Sequence, residues 1–577
     1  MHNQYESLSF IRKQLQANGT APNWYSTASY QLLSNKSYLD VGETPHDMYS
    51  RIAERAAELT LPSIPEEYGY ATWKDAFFDI MWKGWLSPST PVLTNMGNNR
   101  GHPISCSGTY VGDSIRSFEV ALTELAQLTQ RGYGCSVGLD AIRPRGSAIS
   151  SGGTANGPWD FAEDVCHKMK KVSQGSSRRG SAGQYINIMS PNIDEFFDQL
   201  IADDDGWNLG WTITDDYEEL FKRDPKEADR LWKKALKTKM TKGKGYFLFL
   251  DKVNRNRPKM YVDKGMFVKQ SNLCAEIALF CDDNHSFTCV LSSMNVAKYD
   301  EWKDTPAVQI ATVFLDAVIS DMLKKAKKEP GFERVIAFTE KSRAIGLGVL
   351  GLSTYYQQKS WVYGGLESIM FNRRFFGELI NEARKASRFL AKEVGEPEWM
   401  KGYGERFSHL IALPPTKSTA VIQGGVSEGI QPVFANVYEQ DTAGGTVYRI
   451  NPVLLSLMKE RGTYDKDVMK RISEAQGSVQ GEDWLSDHEK EVLKTAFELN
   501  QETVLLMASH RQEVMGPGAQ GQSLNLYFPM EVSEEEISRI HDIAFKDPWI
   551  HSMYYIHSLN EESTHKVDTS VCPACEG

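Results

Sequence analysis

Cysteine is scarce in this chain, eight in 577 residues, and that scarcity excludes a small disulfide-built scaffold. Long apolar runs are missing as well: no stretch approaches the ~18 uninterrupted apolar residues of a membrane span. The opening residues Met1-His2-Asn3-Gln4-Tyr5-Glu6 lack a basic stretch leading into an apolar one. No secretory signal is read there, and the expectation is a cytoplasmic protein. Positive charge is in deficit. A net charge of −11 argues against a general binder of nucleic acid or of membrane surfaces, since both are anionic. Small anionic ligands need only a local positive pocket and are not excluded. The chain has no Gly-X4-Gly-Lys-[Ser/Thr] phosphate loop, no internal repeat and no low-complexity block.

What is present is ordinary for a soluble globular protein, with 41% hydrophobic and 24% charged residues. Length alone suggests about four domains, although one large barrel can absorb much of it. The first ~80 residues read as helical, with apolar positions at helical spacing over 49–59 and aromatics over 72–85. The Met and Trp stripe in the second of these is assigned to core. Over 87–188 the pattern turns to short apolar runs between glycine and serine, among them Pro91-Val92-Leu93, Thr109-Tyr110-Val111 and Cys135-Ser136-Val137-Gly138-Leu139. Such runs predict buried strands alternating with helices. Helices are expected at 194–201, 228–238, from near 305, and at 372–394. Strand or loop signals stand at 246–250, 267–277, 287–294, 345–352 and 411–432. This alternation predicts an α/β barrel or a large α/β sheet.

Chemistry-bearing residues concentrate in a few places. In Ser271-Asn272-Leu273-Cys274-Ala275-Glu276-Ile277 an amide, a thiol and a carboxylate alternate, and in extended backbone Asn272, Cys274 and Glu276 would share one face. Cys289 follows 15 positions after Cys274, and Cys106 precedes both; taken alone, each reads as a structural thiol ahead of a functional one. Cys135, Cys166 and Cys281 are read as structural. The terminal Cys572-Pro573-Ala574-Cys575 is half of a zinc site or a dithiol for exchange. The second reading suits a polar tail with no further Cys-X-X-Cys or spaced histidine pair. Tyr554-Tyr555 is a packing pair or a radical relay. Leu413-Pro414-Pro415-Thr416-Lys417-Ser418-Thr419 joins hydroxyls and a lysine at an expected helix start, which is a phosphate cradle or a plain N-cap. The loop from Ser173 through Gln174 and Arg178 to Gly180 is cationic and is either solvated or ordered over a nucleotide.

In order along the chain, Asn-Leu-Cys-X-Glu-Ile, the two flanking cysteines, Tyr-Tyr and the terminal Cys-X-X-Cys resemble the large, catalytic subunit of class I ribonucleotide reductase. The likeness also takes in Ser89-Thr90-Pro91, Gly112-Asp113-Ser114, Ile142-Arg143, Pro415-Thr416-Lys417-Ser418-Thr419 and Gly429-Ile430-Gln431-Pro432. It implies a ten-stranded α/β barrel with the radical cysteine on a central finger loop. The implied division is a helical region at 1–86, a barrel at 87–556 and a flexible redox tail at 557–577. The helical region starts almost at once, so the resemblance implies a short form without an N-terminal ATP-cone.

By the same resemblance Cys274 is the thiyl radical that abstracts the 3′ hydrogen, Glu276 the general base, and Asn272 the holder of substrate hydroxyls. Cys106 and Cys289 supply the proton and two reducing equivalents and end as a disulfide. Cys572 and Cys575 re-reduce that pair, and thioredoxin or glutaredoxin reduces the tail. Tyr554 and Tyr555 relay the radical from a separate small (beta) subunit that holds the metal-centred radical cofactor, so no cofactor or metal is expected in this chain. Thr90, Ser105, Thr416, Lys417, Ser418 and Thr419 hold the ribonucleotide phosphates. Asp113, Ser114 and Arg143 bind a nucleoside triphosphate effector at a homodimer interface, and Gln174 and Arg178 carry its signal to the substrate base. Neither nucleic acid nor membrane is an expected partner. The adenosylcobalamin-dependent class II shares most of these motifs, and the tyrosine pair favours class I over it. A non-catalytic nucleotide-binding paralogue is disfavoured by the intact cysteines and Glu276.

Overall fold

The N-terminal helices are set by local signals. A computed structural model describes residues 2–35, 38–150, 152–174, 178–202, 206–442 and 445–559. Helix Pro45–Ala57 opens on a capping box between Thr44 and Asp47, with proline in its first turn. Helix Trp73–Trp82 opens at Thr72, whose hydroxyl accepts from the Asp75 amide. Met48, Tyr49, Ile52 and Ala56 on the first, and Trp73, Phe77, Ile80 and Met81 on the second, are buried. That is the three-and-four spacing of an inward helix face, so the aromatic stripe is core. One expected strand is corrected. Pro91-Val92-Leu93 lies in the helix Thr90–Asn95, because proline just inside a helix start is favourable and three apolar residues are too few to carry a period.

Ten strands follow one another around a nearly closed barrel. The order is Ala519–Gln522, Ile411–Leu413, Ile345–Leu350, Phe287–Asn295, Cys106–Tyr110, Cys135–Gly138, Ala182–Asn187, Leu209–Ile213, Tyr246–Phe249 and Ser552–Met553. An eleventh, Leu86–Pro88, pairs antiparallel with Phe287–Asn295 off this path. The five strands from Cys106–Tyr110 to Tyr246–Phe249 are parallel. The four from Phe287–Asn295 to Ala519–Gln522 are also parallel to one another. The two sets meet antiparallel where Cys106–Tyr110 pairs with Phe287–Asn295, and the tenth strand, Ser552–Met553, pairs antiparallel with Tyr246–Phe249. Across the last gap the Ser552 hydroxyl lies 3.1 Å from the Gln522 carbonyl. Among the described residues no single helix is long and apolar enough to cross a membrane.

The strands are buried on both faces, as parallel strands covered by helices must be. Outside them, helices such as Ala307–Ala326 and Leu366–Val394 pack into the main core. Inside, a second apolar cluster gathers Cys106, Tyr185, Tyr246, Cys274, Ile277, Cys289, Tyr554 and Tyr555. The barrel is therefore filled, and what fills it is the chain from 269 to 279.

Candidate active site

Residues 269–279 enter the barrel as a finger whose base is closed by an antiparallel bridge between Val268 and Phe280. The extended geometry expected for Asn272, Cys274 and Glu276 is corrected here. The backbone turns at Leu273 and Cys274, and Ala275 adopts a left-handed conformation with φ of 64°. That conformation costs a non-glycine residue roughly 1–2 kcal/mol. The Asn272 side-chain oxygen offsets this by accepting from the Glu276 and Ile277 amides at 3.1 and 3.3 Å. The turn is thus stitched by the amide that the alternation had placed on a common face. All three residues are still brought together, at 1% exposure or less.

The surrounding strands make room for the finger and hold it. A Cβ on Gly183 would stand 3.0 Å from the Leu273 Cα, and one on Gly521 3.0 Å from the Glu276 carbonyl oxygen. The Tyr185 hydroxyl donates to the Asn272 carbonyl at 2.5 Å, and the Ser552 hydroxyl lies 2.8 Å from the Ala275 carbonyl. The Ser523 hydroxyl lies 2.8 Å from the Cys274 carbonyl and 3.0 Å from Glu276 Oε2, so its single proton serves one acceptor at a time.

Cys106 and Cys289 face each other across the antiparallel junction, directly opposite in register. Residues so paired have Cα atoms about 4.5–5.5 Å apart, within the range that a disulfide spans. Neither sulfur is in a disulfide here. Each receives an amide donor: Asn272 Nδ2 lies 3.2 Å from the Cys106 sulfur, and Gln520 Nε2 lies 3.3 Å from the Cys289 sulfur. Burial pushes the Cys289 thiol well above its usual range, with Gln520 opposing. Burial also pushes Cys135 up to about 11 and Cys281 up to about 12, which suits inert structural thiols. In so dry an interior a step that creates charge is expensive, whereas moving a hydrogen atom changes no charge.

Tyr554 and Tyr555 pack edge to face with ring centroids 4.0 Å apart. A third phenol completes the group. Tyr246 has its ring 4.7 Å from that of Tyr554 and its hydroxyl 2.8 Å from that of Tyr555. Burial raises the Tyr185 phenol well above its usual range, and Tyr246, Cys274 and Glu276 add to the effect. The finger and the tyrosines are thus electrostatic neighbours.

Three buried cysteines, a carboxylate and packed phenols inside a ten-stranded barrel can be matched against known families. Residues 104–206, 199–402 and 397–555 match the family described as "Ribonucleotide reductase, barrel domain", and residues 24–101 match "Ribonucleotide reductase, all-alpha domain". The chain belongs to the ribonucleotide reductase family. A Frog virus 3 (isolate Goorha) protein named for a ribonucleoside-diphosphate reductase large subunit is 32% identical over 86% of this chain and 92% of its own length. The ribonucleoside-diphosphate reductase large subunit of Invertebrate iridescent virus 3 is 27% identical over 87% of this chain and 91% of its own. Among solved structures, the Actinobacillus ureae class Id ribonucleotide reductase alpha subunit superposes with a TM-score of 0.83 at 34% identity, covering 94% of this chain and 98% of that one. The likeness is to class I large subunits, in which the radical cofactor resides in a separate subunit. The reaction of this ribonucleotide reductase subunit is the radical reduction of ribonucleotides to 2′-deoxyribonucleotides for DNA synthesis.

The remaining expected residues of this reductase chain fall in three groups. Thr416, Ser418 and Thr419 are buried at the start of the short helix Lys417–Ile422. Thr416 has a left-handed φ of 49°, and its hydroxyl accepts from the Gly429 amide at 2.6 Å. Thr90 lies 3.2 Å from the Tyr38 hydroxyl, and Ser105 donates to Ser89 at 3.1 Å. Farther off, Arg143 forms an ion pair with Asp113. Ser114 caps the helix Ile115–Gln130 by accepting from the Ser117 amide. Gln174 and Arg178 pair in register across a two-stranded ribbon. Cys572 and Cys575 lie outside the described residues. Among the described residues no three His, Cys, Asp or Glu side chains gather as a metal site would need.

Sequence reasoning missed Gln520, Ser523, Tyr185 and Tyr246. A signal was present for the first two. Gln520-Gly521-Gln522-Ser523 is a polar run between apolar neighbours, and every one of its polar side chains is buried. Such residues must find partners inside the fold.

Proposed function

We propose that this chain reduces ribonucleoside diphosphates at the 2′ carbon by the following division of labour. The thiyl radical of Cys274 takes the hydrogen atom from the 3′ carbon and leaves a carbon radical there. Glu276 accepts the 3′-hydroxyl proton, and Asn272 holds the substrate hydroxyls. The 2′ hydroxyl departs as water with a proton from the Cys106–Cys289 pair. That pair supplies two electrons in all and the second proton, which ends on the 2′ carbon, and closes to a disulfide, while Cys274 returns its hydrogen atom to the 3′ carbon and Glu276 its proton to the 3′ oxygen. One ribonucleotide and two thiols thus give one deoxyribonucleotide, water and a disulfide. The observation that carries the reading is the strand register that sets Cys106 opposite Cys289, with the finger bearing Cys274 in the same buried cluster.

The same proposal assigns Tyr554 and Tyr555 to radical relay from a small subunit, which supplies the oxidising equivalent. Cys572 and Cys575 re-reduce the Cys106–Cys289 disulfide and are themselves reduced by thioredoxin or glutaredoxin. Thr90, Ser105 and Thr416–Thr419 hold substrate phosphates. Asp113, Ser114 and Arg143 bind a nucleoside triphosphate effector in a homodimer, with Gln174 and Arg178 passing its signal on. The working division is helical region 1–86, barrel 87–556 and redox tail 557–577, in a cytoplasmic enzyme.

The test is deoxynucleotide formation by the chain with its small subunit. Cys274→Ser and Tyr554→Phe are expected to abolish turnover with the fold retained. Cys572→Ser is expected to turn over once per site and to recover with a small dithiol. Full activity in Cys274→Ser would refute the reading.

A further inference from the structure

Lys239 lies in the last turn of helix Pro225–Lys242 and is wholly buried. Among the described residues no carboxylate pairs with it. Its ammonium donates to the Gly245 carbonyl at 3.2 Å and to the Tyr554 carbonyl. The Nζ atom stands 5.9 Å from the centre of the Tyr246 ring and 5.6 Å from that of Phe247. The titratable groups that face it are Tyr246, the Tyr554–Tyr555 pair, His541 of helix Glu534–Lys546, and His557 of strand Ile556–Ser558. Burial holds both histidines near 3, so both are neutral at ordinary pH. Two cations then act on this group, Lys417 through His557 and Lys239, and Lys239 is the one bonded to the Tyr554 carbonyl.

A second buried lysine shows what a purely structural role looks like. Lys252 donates to the Ala544 and Asp547 carbonyls at 2.8 and 2.7 Å, at the C-terminal end of helix Glu534–Lys546. Its charge meets the negative end of a helix and the faces of Phe249 and Phe545, and no phenol. Lys239 also sits in the last turn of a helix, its own, but the carbonyls it reaches, Gly245 and Tyr554, lie outside that helix and lead to the phenols. A neutral amide would tie two carbonyls as well, without the cost of a buried charge.

We propose that Lys239 is a positioning residue of the radical relay, fixing the Tyr554 backbone and keeping a positive charge beside the phenols so that each loses its proton together with its electron. The inference rests on the relay assigned above to Tyr554 and Tyr555. In that relay the Tyr555 phenoxyl, formed by the small subunit's radical, takes one hydrogen atom from the Tyr554 hydroxyl. The Tyr554 phenoxyl then takes one from the Cys274 thiol, which becomes the thiyl. Each transfer moves one electron and one proton, and none passes through the lysine. A fixed cation in a low-dielectric interior repels a phenol radical cation, so the path in which the electron leaves first is closed.

The experiment is turnover of the full chain with its small subunit from about pH 6 to about pH 9, for wild type, Lys239→Met, Lys239→Arg and Tyr554→Phe. Burial holds the Lys239 ammonium down to about 7, so wild-type kcat is expected to fall as the pH rises through that region. Lys239→Arg keeps its charge and is expected to hold kcat across the same range. Lys239→Met is expected to lose at least tenfold in kcat at low pH, with KM unchanged and no alkaline fall. Wild-type kcat in Lys239→Met, or an alkaline fall at the same pH in Lys239→Arg, overturns the inference. Should Lys239→Met fail to fold, the Arg profile decides alone. Turnover retained in Tyr554→Phe removes the relay and this inference together. Turnover lost in Tyr554→Phe but unchanged in Lys239→Met removes this inference only.

Discussion

Replacing Ser523 with alanine isolates the hold that the barrel wall has on the finger. The wild-type hydroxyl is fully buried, 2.8 Å from the Cys274 carbonyl and 3.0 Å from Glu276 Oε2. Alanine removes the donor and leaves the rest of the wall in place. A hydrogen bond to a charged acceptor contributes about 1.5–3 kcal/mol and one to a neutral carbonyl about 1 kcal/mol. The hydroxyl has one proton, so these do not add, and the expected loss of stability is about 1–3 kcal/mol. Should the contact to Glu276 be made in full only as the carboxylate takes the substrate proton, the same energy appears in the barrier. That corresponds to a fall in kcat of roughly 10- to 100-fold, with KM little changed. Deoxynucleotide formation with the small subunit present and urea unfolding of the isolated chain measure the two effects separately. Wild-type kcat in a destabilised Ser523→Ala would refute the catalytic part of the reasoning and leave Ser523 a scaffold residue. Unchanged stability would refute the geometry itself.

Three further outcomes are expected. Gly521→Ala places a Cβ 3.0 Å from the Glu276 carbonyl oxygen; because that neighbour is backbone, the finger must shift by a few tenths of an ångström. A loss of kcat of about tenfold or more is expected with unchanged circular dichroism, and wild-type kcat would show the finger to be tolerant. Mild oxidation is expected to join Cys106 to Cys289, visible as a cross-linked peptide by mass spectrometry. A cross-link from either of them to Cys135 would contradict the strand register. Stability is expected to fall as the pH drops below about 6.5, because His409 and His541 are held near 3 and His551 near 4 by burial. The unfolded chain binds those protons at about 6.5 while the folded chain does not, so each group removes up to about 1.4 kcal/mol per pH unit in that window. Urea midpoints measured across the range check this, and a flat profile between pH 6.5 and 4 would refute it.

Much of the fold was legible because its signals are local. The caps at Thr44 and Thr72 and the spacing of buried residues behind them depend on neighbours a turn away. The strands at Tyr246–Phe249, Phe287–Asn295 and Ile345–Leu350 stand where apolar runs meet turn residues. Thr90–Asn95 was misread because a three-residue run has no period, and the decisive residue was the proline at its start. The finger was misread as extended because alternation is compatible with a turn when an asparagine can bond its own backbone, as Asn272 does.

By itself the sequence determined the chemical inventory: the cysteines, Glu276, Asn272 and the paired tyrosines, in an order specific enough to point to one family. Only the tertiary structure decided which side chains meet. Cys106 and Cys289 are distant in the chain and opposite in the barrel, because two parallel sets of strands join there antiparallel. Gln520, in the strand Ala519–Gln522, and Ser523, just past it, reach Cys289 and Glu276 from more than two hundred residues away. Lys239 meets Tyr554 because the last strand closes against Tyr246–Phe249. Local propensity acts over a few residues, whereas strand pairing and burial act between any two segments that the closed barrel brings together.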